Sequence, residues 1–230
     1  ISTKGMNIEE AVKLIRGKRG TKVNLQILRN GNSFYKSLFR ERIEIKSVSS
    51  KINETREGFL IGYVRIKQFN ANASREMRDT INNLETKNVS GYILDLRSNP
   101  GGLLESSIDI SRQFIDKGII VSTLTKDGLK EIKRGNSNAL TKRPLIVLVN
   151  EGSASASEIV SGAIRDNNRG KLVGKKTFGK GLVQSMRTLV DGSGLTVTVA
   201  KYLTPNGIDI NKYGIKPDIE VKMNSNPILQ

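Results

Sequence analysis

The chain has 230 residues, and its composition, with 37% hydrophobic and 26% charged residues, is typical of a globular protein. Histidine and cysteine are both absent, which excludes a Ser-His-Asp triad, thiol catalysis, disulfide bonds and metal sites built on these side chains. The formal net charge of +16 is compatible with an anionic partner such as a nucleic acid or a membrane surface. Only 5% of the residues are aromatic and tryptophan is absent, so few side chains could stack on bases, and we expect no nucleic-acid partner.

The start of the chain resembles neither a signal peptide nor a membrane anchor. Residues 1–5 lack a starting methionine and the apolar stretch of a signal peptide. No apolar run reaches the roughly 18 residues that a membrane span requires. We therefore expect the chain to begin inside a longer protein.

The first 40 residues predict one helix and a β-hairpin. The helix covers residues 7–16, where Asn7 is a suitable N-cap and Glu10 follows at the spacing of a capping box. Strands over residues 21–28 and near residues 34–39 are separated by an Asn-Gly pair, which is a hairpin signal. This segment is too short to bury a core of its own.

From residue 59 onward, strands and helices alternate, which predicts an α/β domain. Residues 41–57 are charged and polar and are interpreted as a connector, and residues 125–142 as a polar loop or hairpin. The predicted strands cover residues 59–66, 89–96, 119–124, 144–149, 171–173, 183–189 and 195–202. The predicted helices cover residues 73–86, 103–115 and a third segment that ends near residue 165. Because residues 144–149 are apolar on both faces, we expect a central strand there.

Two turns share one design, in which an apolar strand leads through small residues into a helix. They are Leu96–Gly102 and Asn150–Ser157. The start of a helix offers unpaired N–H groups that bind anions, including the oxyanion of an acyl-transfer intermediate. A serine in the second turn could therefore act as a nucleophile, although Ser153, Ser155 and Ser157 could equally be helix caps.

A nucleophilic serine needs a base, and without histidine the usual substitute is lysine. A lysine loses its proton near neutral pH only when it is shielded from water. Lys180 is the candidate, since Gly179 and Gly181 on either side permit a close backbone approach. We expect its amine to be buried, whereas an ordinary surface turn would leave it exposed.

The same segment partly matches a nucleotide-binding loop. Residues 174–180 fit the first seven positions of G-x-x-x-x-G-K-[ST], but Gly181 stands where a Ser or Thr should hold Mg²⁺. A helix should follow, whereas residues 182–190 predict a strand. Both departures argue against a nucleotide-binding site.

Several segments resemble the carboxyl-terminal processing proteases, also called tail-specific proteases, which are serine peptidases with a Ser-Lys dyad. The segments are residues 6–28, 94–104, 150–159, 166–167, 173–184, 202–207 and 214–219. The resemblance implies an α/β fold with a mixed sheet and packed helices, the ClpP/crotonase-like protease core, over residues 41–230. It also implies that residues 1–40 are the C-terminal remnant of a PDZ domain.

The resemblance also assigns roles to individual residues. It implies Ser155 as nucleophile, Lys180 as general base and Gln184 as the side chain that orients the lysine. Ser153 and Ser157 then remain as capping and packing residues.

Three further backbone or side-chain positions follow from the same resemblance. The N–H groups of Ala156 and of Gly101 or Gly102 would form the oxyanion hole. Asp166 matches an acidic position that supports the site. It lies eleven residues after Ser155, close to three helical turns, and thus on the same side of one helix.

The resemblance implies protein substrates with accessible C-terminal tails, recruited by the PDZ domain, and no metal or cofactor. The carboxylate-binding loop of that domain would precede Ile1. The family is exported, to the periplasm or the thylakoid lumen, where basic charge would also allow peripheral contact with an anionic membrane surface. The alternative is a non-catalytic basic scaffold or nucleic-acid-binding protein that retains the fold.

Overall fold

The computed structural model describes residues 2–41 and 46–221. The chain divides into two compact units, residues 1–45 and residues 46–230. None of the helices in the described residues is long and apolar enough to cross a membrane.

The first unit contains one helix and one hairpin, as predicted. Helix α1 (Ile8–Ile15) is followed by strands β1 (Lys22–Arg29) and β2 (Asn32–Phe39), which pair antiparallel. The capping box is complete, since the N–H of Glu10 donates to Asn7 Oδ1 at 2.9 Å and the N–H of Asn7 donates to Glu10 Oε2 at 3.0 Å.

The second unit holds the remaining strands and helices in an α/β arrangement. Its strands are β3 (Val48–Glu54), β4 (Leu60–Ile66), β5 (Gly91–Asp95), β6 (Ile119–Thr125), β7 (Lys130–Arg134), β8 (Leu145–Val149), β9 (Lys171–Gly174), β10 (Leu182–Thr188), β11 (Gly194–Leu203) and β12 (Ile219–Glu220). Its helices are α2 (Ala73–Thr86), α3 (Leu104–Arg112) and α4 (Ala156–Asp166). The α/β prediction and the bounds predicted for α2 are confirmed.

The strands form two sheets. The larger has the order β12-β9-β8-β5-β4-β3 and is mixed, because all neighbouring pairs are parallel except β3 with β4. The smaller is antiparallel with the order β10-β11-β6-β7. Strand β8 lies between β5 and β9, which confirms the central strand predicted for residues 144–149.

The interpretation of residues 41–57 as a connector is wrong for its second half, where β3 forms the edge of the larger sheet. Only Val48 of this strand is buried, and its other residues are exposed. A strand held by backbone hydrogen bonds at a solvent-facing edge needs no apolar periodicity, so the polar composition concealed it.

The apolar core lies between the larger sheet and the helices. Its fully buried side chains include Val147 and Leu172 from the strands and Met77, Ile81 and Ile164 from the helices. This packing fixes the relative position of the helix starts that follow β5 and β8.

Strands β5 and β8 are parallel neighbours, so their carboxyl ends meet at one edge of the sheet. The chain leaves β5 through residues 96–103 into α3, and leaves β8 through residues 150–155 into α4. We call these segments the first turn and the second turn.

Candidate active site

Hydrogen bonds and close backbone contacts join the first turn to the second. The N–H of Ala154 donates to the Asn99 carbonyl at 3.0 Å, and the N–H of Ser98 donates to Asn150 Oδ1 at 2.7 Å. Gly101 has a φ of 101°, and a Cβ there would lie 2.7 Å from the Ala154 carbonyl oxygen. Only glycine fits this approach without displacing the second turn.

Ser155 is the strained residue of the second turn. It lies immediately before α4 with φ 53° and ψ −113°, a backbone conformation that residues other than glycine rarely adopt. Such a conformation costs about 1–3 kcal/mol and persists only where the surrounding structure enforces it. Here it directs the side chain into a cavity rather than along the helix.

That cavity has a volume of about 240 Å³ and gathers most of the predicted site. The residues that line it are Gly102, Ser155, Lys180, Leu182, Gln184, Met186, Thr196 and Tyr202. Segments more than 80 residues apart in sequence thus line a single cavity, to which they contribute Ser155, Lys180 and Gln184.

Ser153 of the second turn and Ser157 at the start of α4 are buried and bonded to backbone. Ser153 Oγ donates to the Leu96 carbonyl at 2.7 Å, and Ser157 Oγ donates to the Asn99 carbonyl at 3.0 Å. Both side chains are fully buried. They hold the two turns together, and Ser155 alone among the three lines the cavity.

Lys180 is exposed, which corrects the expectation that its amine would be buried. Its flanking glycines do permit a close approach, but of another backbone segment. A Cβ at Gly181 would lie 2.6 Å from the Asn211 nitrogen, and one at Gly179 would lie 2.8 Å from the Gly214 nitrogen. The glycines thus pack the loop backbone tightly while the lysine side chain extends toward the open cavity.

Glu158 connects the second turn to the loop that carries Lys180. Its carboxylate is fully buried and accepts the N–H groups of Ser155 and Lys180, each at 2.9 Å. It also accepts the Gly179 N–H at 2.8 Å and the hydroxyl of Thr177. Four donors satisfy the two oxygens, and the start of α4 adds favourable dipolar charge.

Sequence analysis did not assign this role to Glu158. The signal was present as the S-x-x-E spacing of Ser155 and Glu158, which is that of a capping box. The additional bonds to Gly179 and Lys180 depend on residues more than 20 positions away, so local spacing could not indicate them.

Two N–H groups beside Ser155 are available to an oxyanion. Within the described residues, the N–H groups of Ala156 and Gly102 have no intramolecular acceptor. The N–H of Gly101, in contrast, donates to Asn99 Oδ1 at 2.9 Å. A Cβ at Gly102 would overlap the Phe69 carbonyl, so this position also requires glycine.

Asp166 lies at the last turn of α4, whereas Ser155 precedes the first. At the rise of an α-helix the two are separated by roughly 16 Å. The Asp166 carboxylate accepts Arg165 Nε–H at 3.0 Å and the Asn206 N–H at 3.1 Å. The structure therefore places it on the helix of Ser155 but away from the cavity.

An ion pair between Asp95 and Arg97 lies where the chain passes from β5 into the first turn. Asp95 is fully buried and accepts Arg97 Nη2–H at 2.7 Å and Arg97 Nε–H at 2.9 Å, together with the Tyr63 hydroxyl. Burial opposes ionisation of Asp95, yet the hydrogen bonds from Arg97 and Tyr63 hold its pKa below the ordinary value. The charged pair fixes the direction in which the chain leaves β5.

Comparisons with known proteins identify the family of this chain. Residues 60–221 match the model of Peptidase family S41. A carboxyl-terminal-processing protease of Synechocystis is 47% identical over 220 residues, which cover 95% of this chain and 52% of that protein. The carboxy-terminal processing protease CtpA of Bacillus subtilis is 43% identical over 224 residues, which cover 96% of this chain and 47% of that protein.

A solved structure, the photosystem II D1 C-terminal processing protease, superposes with a TM-score of 0.72 at 35% identity, covering 96% of this chain and 61% of that one. The chain spans about half the length of the curated relatives it matches. With the family match over most of the second unit and this degree of identity, the chain belongs to peptidase family S41.

Proposed function

We propose that this protein is a serine endopeptidase that cleaves the C-terminal tails of protein substrates with a Ser155–Lys180 dyad. The observation that carries the proposal is the single cavity lined by Ser155, Lys180 and Gly102. It brings a candidate nucleophile, a candidate base and an N–H donor to one cavity, and these are the three groups that acyl transfer requires. The names of the S41 relatives, which are carboxyl-terminal processing proteases, support the substrate class.

In the proposed mechanism, the Lys180 amine takes the proton of Ser155 as Oγ attacks the scissile carbonyl. The N–H groups of Ala156 and Gly102 hold the resulting oxyanion. Lys180 then gives its proton to the leaving amine as the peptide bond breaks. Water releases the acyl group from Ser155 by the reverse sequence, with Lys180 again as base.

The exposure of Lys180 gives the substrate a part in this chemistry. Removal of water from around an amine favours its neutral form, which can accept a proton. Lys180 is exposed and lines the cavity, so a peptide bound there would displace water from the amine. We therefore propose that substrate binding itself prepares the base.

Neighbouring groups position the dyad. Gln184 lines the same cavity and is proposed to orient the Lys180 amine. One carboxylate oxygen of Glu158 accepts the backbone N–H groups of Ser155 and Lys180. These two bonds fix the position of the proposed nucleophile relative to the proposed base. Asp166 is proposed to act indirectly, by holding Asn206 through its backbone N–H.

We interpret residues 1–40, which carry α1 and the β1–β2 hairpin, as the C-terminal part of a PDZ domain that recruits substrate tails. PDZ domains add an extended peptide as a strand and capture its terminal carboxylate on a backbone loop. Relatives named as chloroplastic and cyanobacterial processing proteases support a lumenal or other exported location.

Active-site labelling tests the function directly. A fluorophosphonate probe should label the wild-type chain, and Ser155→Ala should lose both labelling and cleavage of an unstructured peptide. Ser153→Ala is the matched control, because it removes a hydroxyl from the same turn that does not reach the cavity.

Retention of labelling or cleavage by Ser155→Ala would refute the dyad. Absence of labelling in the folded wild-type chain, together with salt-dependent binding of DNA, would favour the basic scaffold instead.

A further inference from the structure

Strand β10 is an edge of the smaller sheet, and one of its faces lines the cavity. The sheet order is β10-β11-β6-β7, so within the described residues β10 has a strand neighbour on one side only. Leu182, Gln184 and Met186 alternate along β10, and all three line the cavity that contains Ser155. An edge that can accept another strand therefore borders the cavity of the proposed nucleophile.

The register of β10 with β11 shows which backbone groups point toward the free edge. In an antiparallel pair, opposite residues alternate between those that exchange hydrogen bonds and those that do not. The Leu189 N–H donates to the Ser193 carbonyl at 2.8 Å, and Met186 lies opposite Thr196 three positions further along the same register. Met186 and Gln184 are therefore non-bonded positions, whose N–H and C=O groups point away from β11.

The same rule applies at the other end of β10, before the register shift that follows Val183. The Tyr202 N–H donates to the Gly181 carbonyl at 2.8 Å, and Leu182 lies opposite Lys201 in the next pair. Leu182 is thus also a non-bonded position. The three residues of β10 that line the cavity are the ones whose backbone groups face the free edge.

The composition of β10 leaves this edge open to pairing. Proteins block free edges with lysine, with proline or with very short strands. The opposite edge of the same sheet, β7, carries Lys130, Lys133 and Arg134 among its five residues. Strand β10 has seven residues with neither lysine nor proline, and its Met186 is 80% exposed. Of the two edges of this sheet, only the one at the cavity lacks such protection.

We infer that the substrate binds as an added strand along β10, with its backbone bonded to the outward N–H and C=O groups of Leu182, Gln184 and Met186 and its scissile bond at Ser155. The occupant is an extended peptide segment, because the free edge continues into the cavity of the nucleophile and strand addition uses main-chain hydrogen bonds. The inference rests on the proposed peptidase function.

The spacing of the outward groups defines what the substrate must supply. A strand rises about 3.4 Å per residue, so Leu182 and Met186 are about 14 Å apart and a segment of about five residues would pair with all three positions. The outward groups recur every second residue. The substrate should therefore be sensitive to loss of its own N–H groups at alternate positions and tolerant at the positions between them.

A scan of N-methylated peptides tests this periodicity on the unmodified protein. Each peptide of the series lacks one backbone N–H and keeps its side chains. N-methylation at alternate positions on one side of the scissile bond should lower kcat/KM by about tenfold, the effect of one lost hydrogen bond, with little change at the intervening positions. An effect without a period of two residues would overturn the inference.

Substitution of Met186 tests the protein side of the same bonds. Met186→Pro removes an outward N–H and the side chain, whereas Met186→Ala removes the side chain alone. Proline is tolerated on an edge strand where its missing N–H faces away from the sheet. We expect kcat/KM for peptides to be about tenfold lower in Met186→Pro than in Met186→Ala.

Thr188→Pro is the matched control. Thr188 lies opposite Gly194 at the next non-bonded position of β10, but it does not line the cavity. This variant should keep the wild-type kcat/KM. Equal kcat/KM values for folded Met186→Pro and Met186→Ala would overturn the inference, and if Met186→Pro does not fold, the peptide scan decides.

Fluorophosphonate labelling separates this inference from the proposed function. The small probe has no peptide backbone, so Met186→Pro should be labelled at the wild-type rate while its kcat/KM for peptides falls. Absence of labelling in the wild-type chain would refute the dyad instead. A loss of self-association in Met186→Pro, measured by sedimentation velocity, with unchanged kcat/KM would assign the edge to a second copy of the chain and overturn the inference.

Discussion

The first and second turns leave adjacent parallel strands at the same sheet edge, yet they contribute different chemical groups. The first contains Gly101 and Gly102, both with positive φ, and presents a backbone N–H group. The second ends in Ser155, also with positive φ, and presents a side chain. A positive φ costs glycine little, whereas the conformation of Ser155 costs about 1–3 kcal/mol.

The two turns also differ in what stabilises them. An asparagine side chain organises each one, Asn99 in the first and Asn150 in the second. The first turn then enters α3 without a side-chain cap, whereas Glu158 caps the second through the Ser155 N–H. The proposed roles explain this difference, because an oxyanion donor must have a free N–H group, whereas a nucleophile needs a backbone that is held in place.

The largest effect should come from replacing Lys180, the proposed base, whose backbone Glu158 links to the second turn. We expect Lys180→Arg to lower kcat by about 10³-fold or more across pH 6–10, because arginine stays protonated and cannot accept the Ser155 proton. The measurement is peptide hydrolysis by folded protein. Lys176→Arg is the control, as an exposed lysine of the same segment. Substantial turnover by Lys180→Arg at any pH in this range would exclude Lys180 as the base.

The first turn should respond through its backbone. We expect Gly102→Ala to lower kcat by about 10²-fold, because the added Cβ overlaps the Phe69 carbonyl and displaces one oxyanion donor. Gly128→Ala is a matched control, since Gly128 has a φ of 82° but nothing within 4 Å of an added Cβ. Equal kcat values for the two variants would show that the N–H of Gly102 does not serve the reaction.

The ion pair beneath the first turn should affect stability. We expect Asp95→Asn to lower the free energy of unfolding at pH 7 by about 2 kcal/mol, roughly 30-fold in the equilibrium constant, because it removes the charge that Arg97 and Tyr63 contact. The folded pKa of Asp95 is lowered, so its stabilisation is present above the unfolded value of about 4 and is lost as the pH falls further.

Urea denaturation between pH 3 and pH 7 measures both effects. The stability difference between wild type and Asp95→Asn should shrink as the pH falls below about 4. A difference that is independent of pH would show that the charge of Asp95 contributes nothing to folding.

The smallest effect should come from Gln184, which lies on β10 outside both turns. We expect Gln184→Ala to lower kcat by about tenfold, because the amide would orient an amine that can still reach Ser155 without it. Ser185→Ala on the next position of β10 is the control. The measurement is kcat at saturating peptide, and an effect as large as that of Lys180→Arg would contradict a purely orienting role.

Much of the local structure could be predicted because its causes lie within a few residues. The Asn7–Glu10 capping box, the apolar spacing of α2 and the strand-to-helix form of both turns are set by neighbours in sequence. Strand β3 could not be predicted in this way, since its stability comes from pairing with β4 rather than from its own apolar pattern.

The sequence by itself therefore determined the α/β class, the central strand and the two turns, and its family resemblance indicated Ser155 and Lys180 as the residues to consider. Only the tertiary structure decided that the Gly102 N–H, unlike that of Gly101, has no acceptor among the residues that the structure describes. It also decided that Glu158 joins Ser155 to Lys180 and that Lys180 stays exposed. These outcomes depend on how closely distant backbone segments approach one another, and that distance is set by core packing rather than by any local pattern.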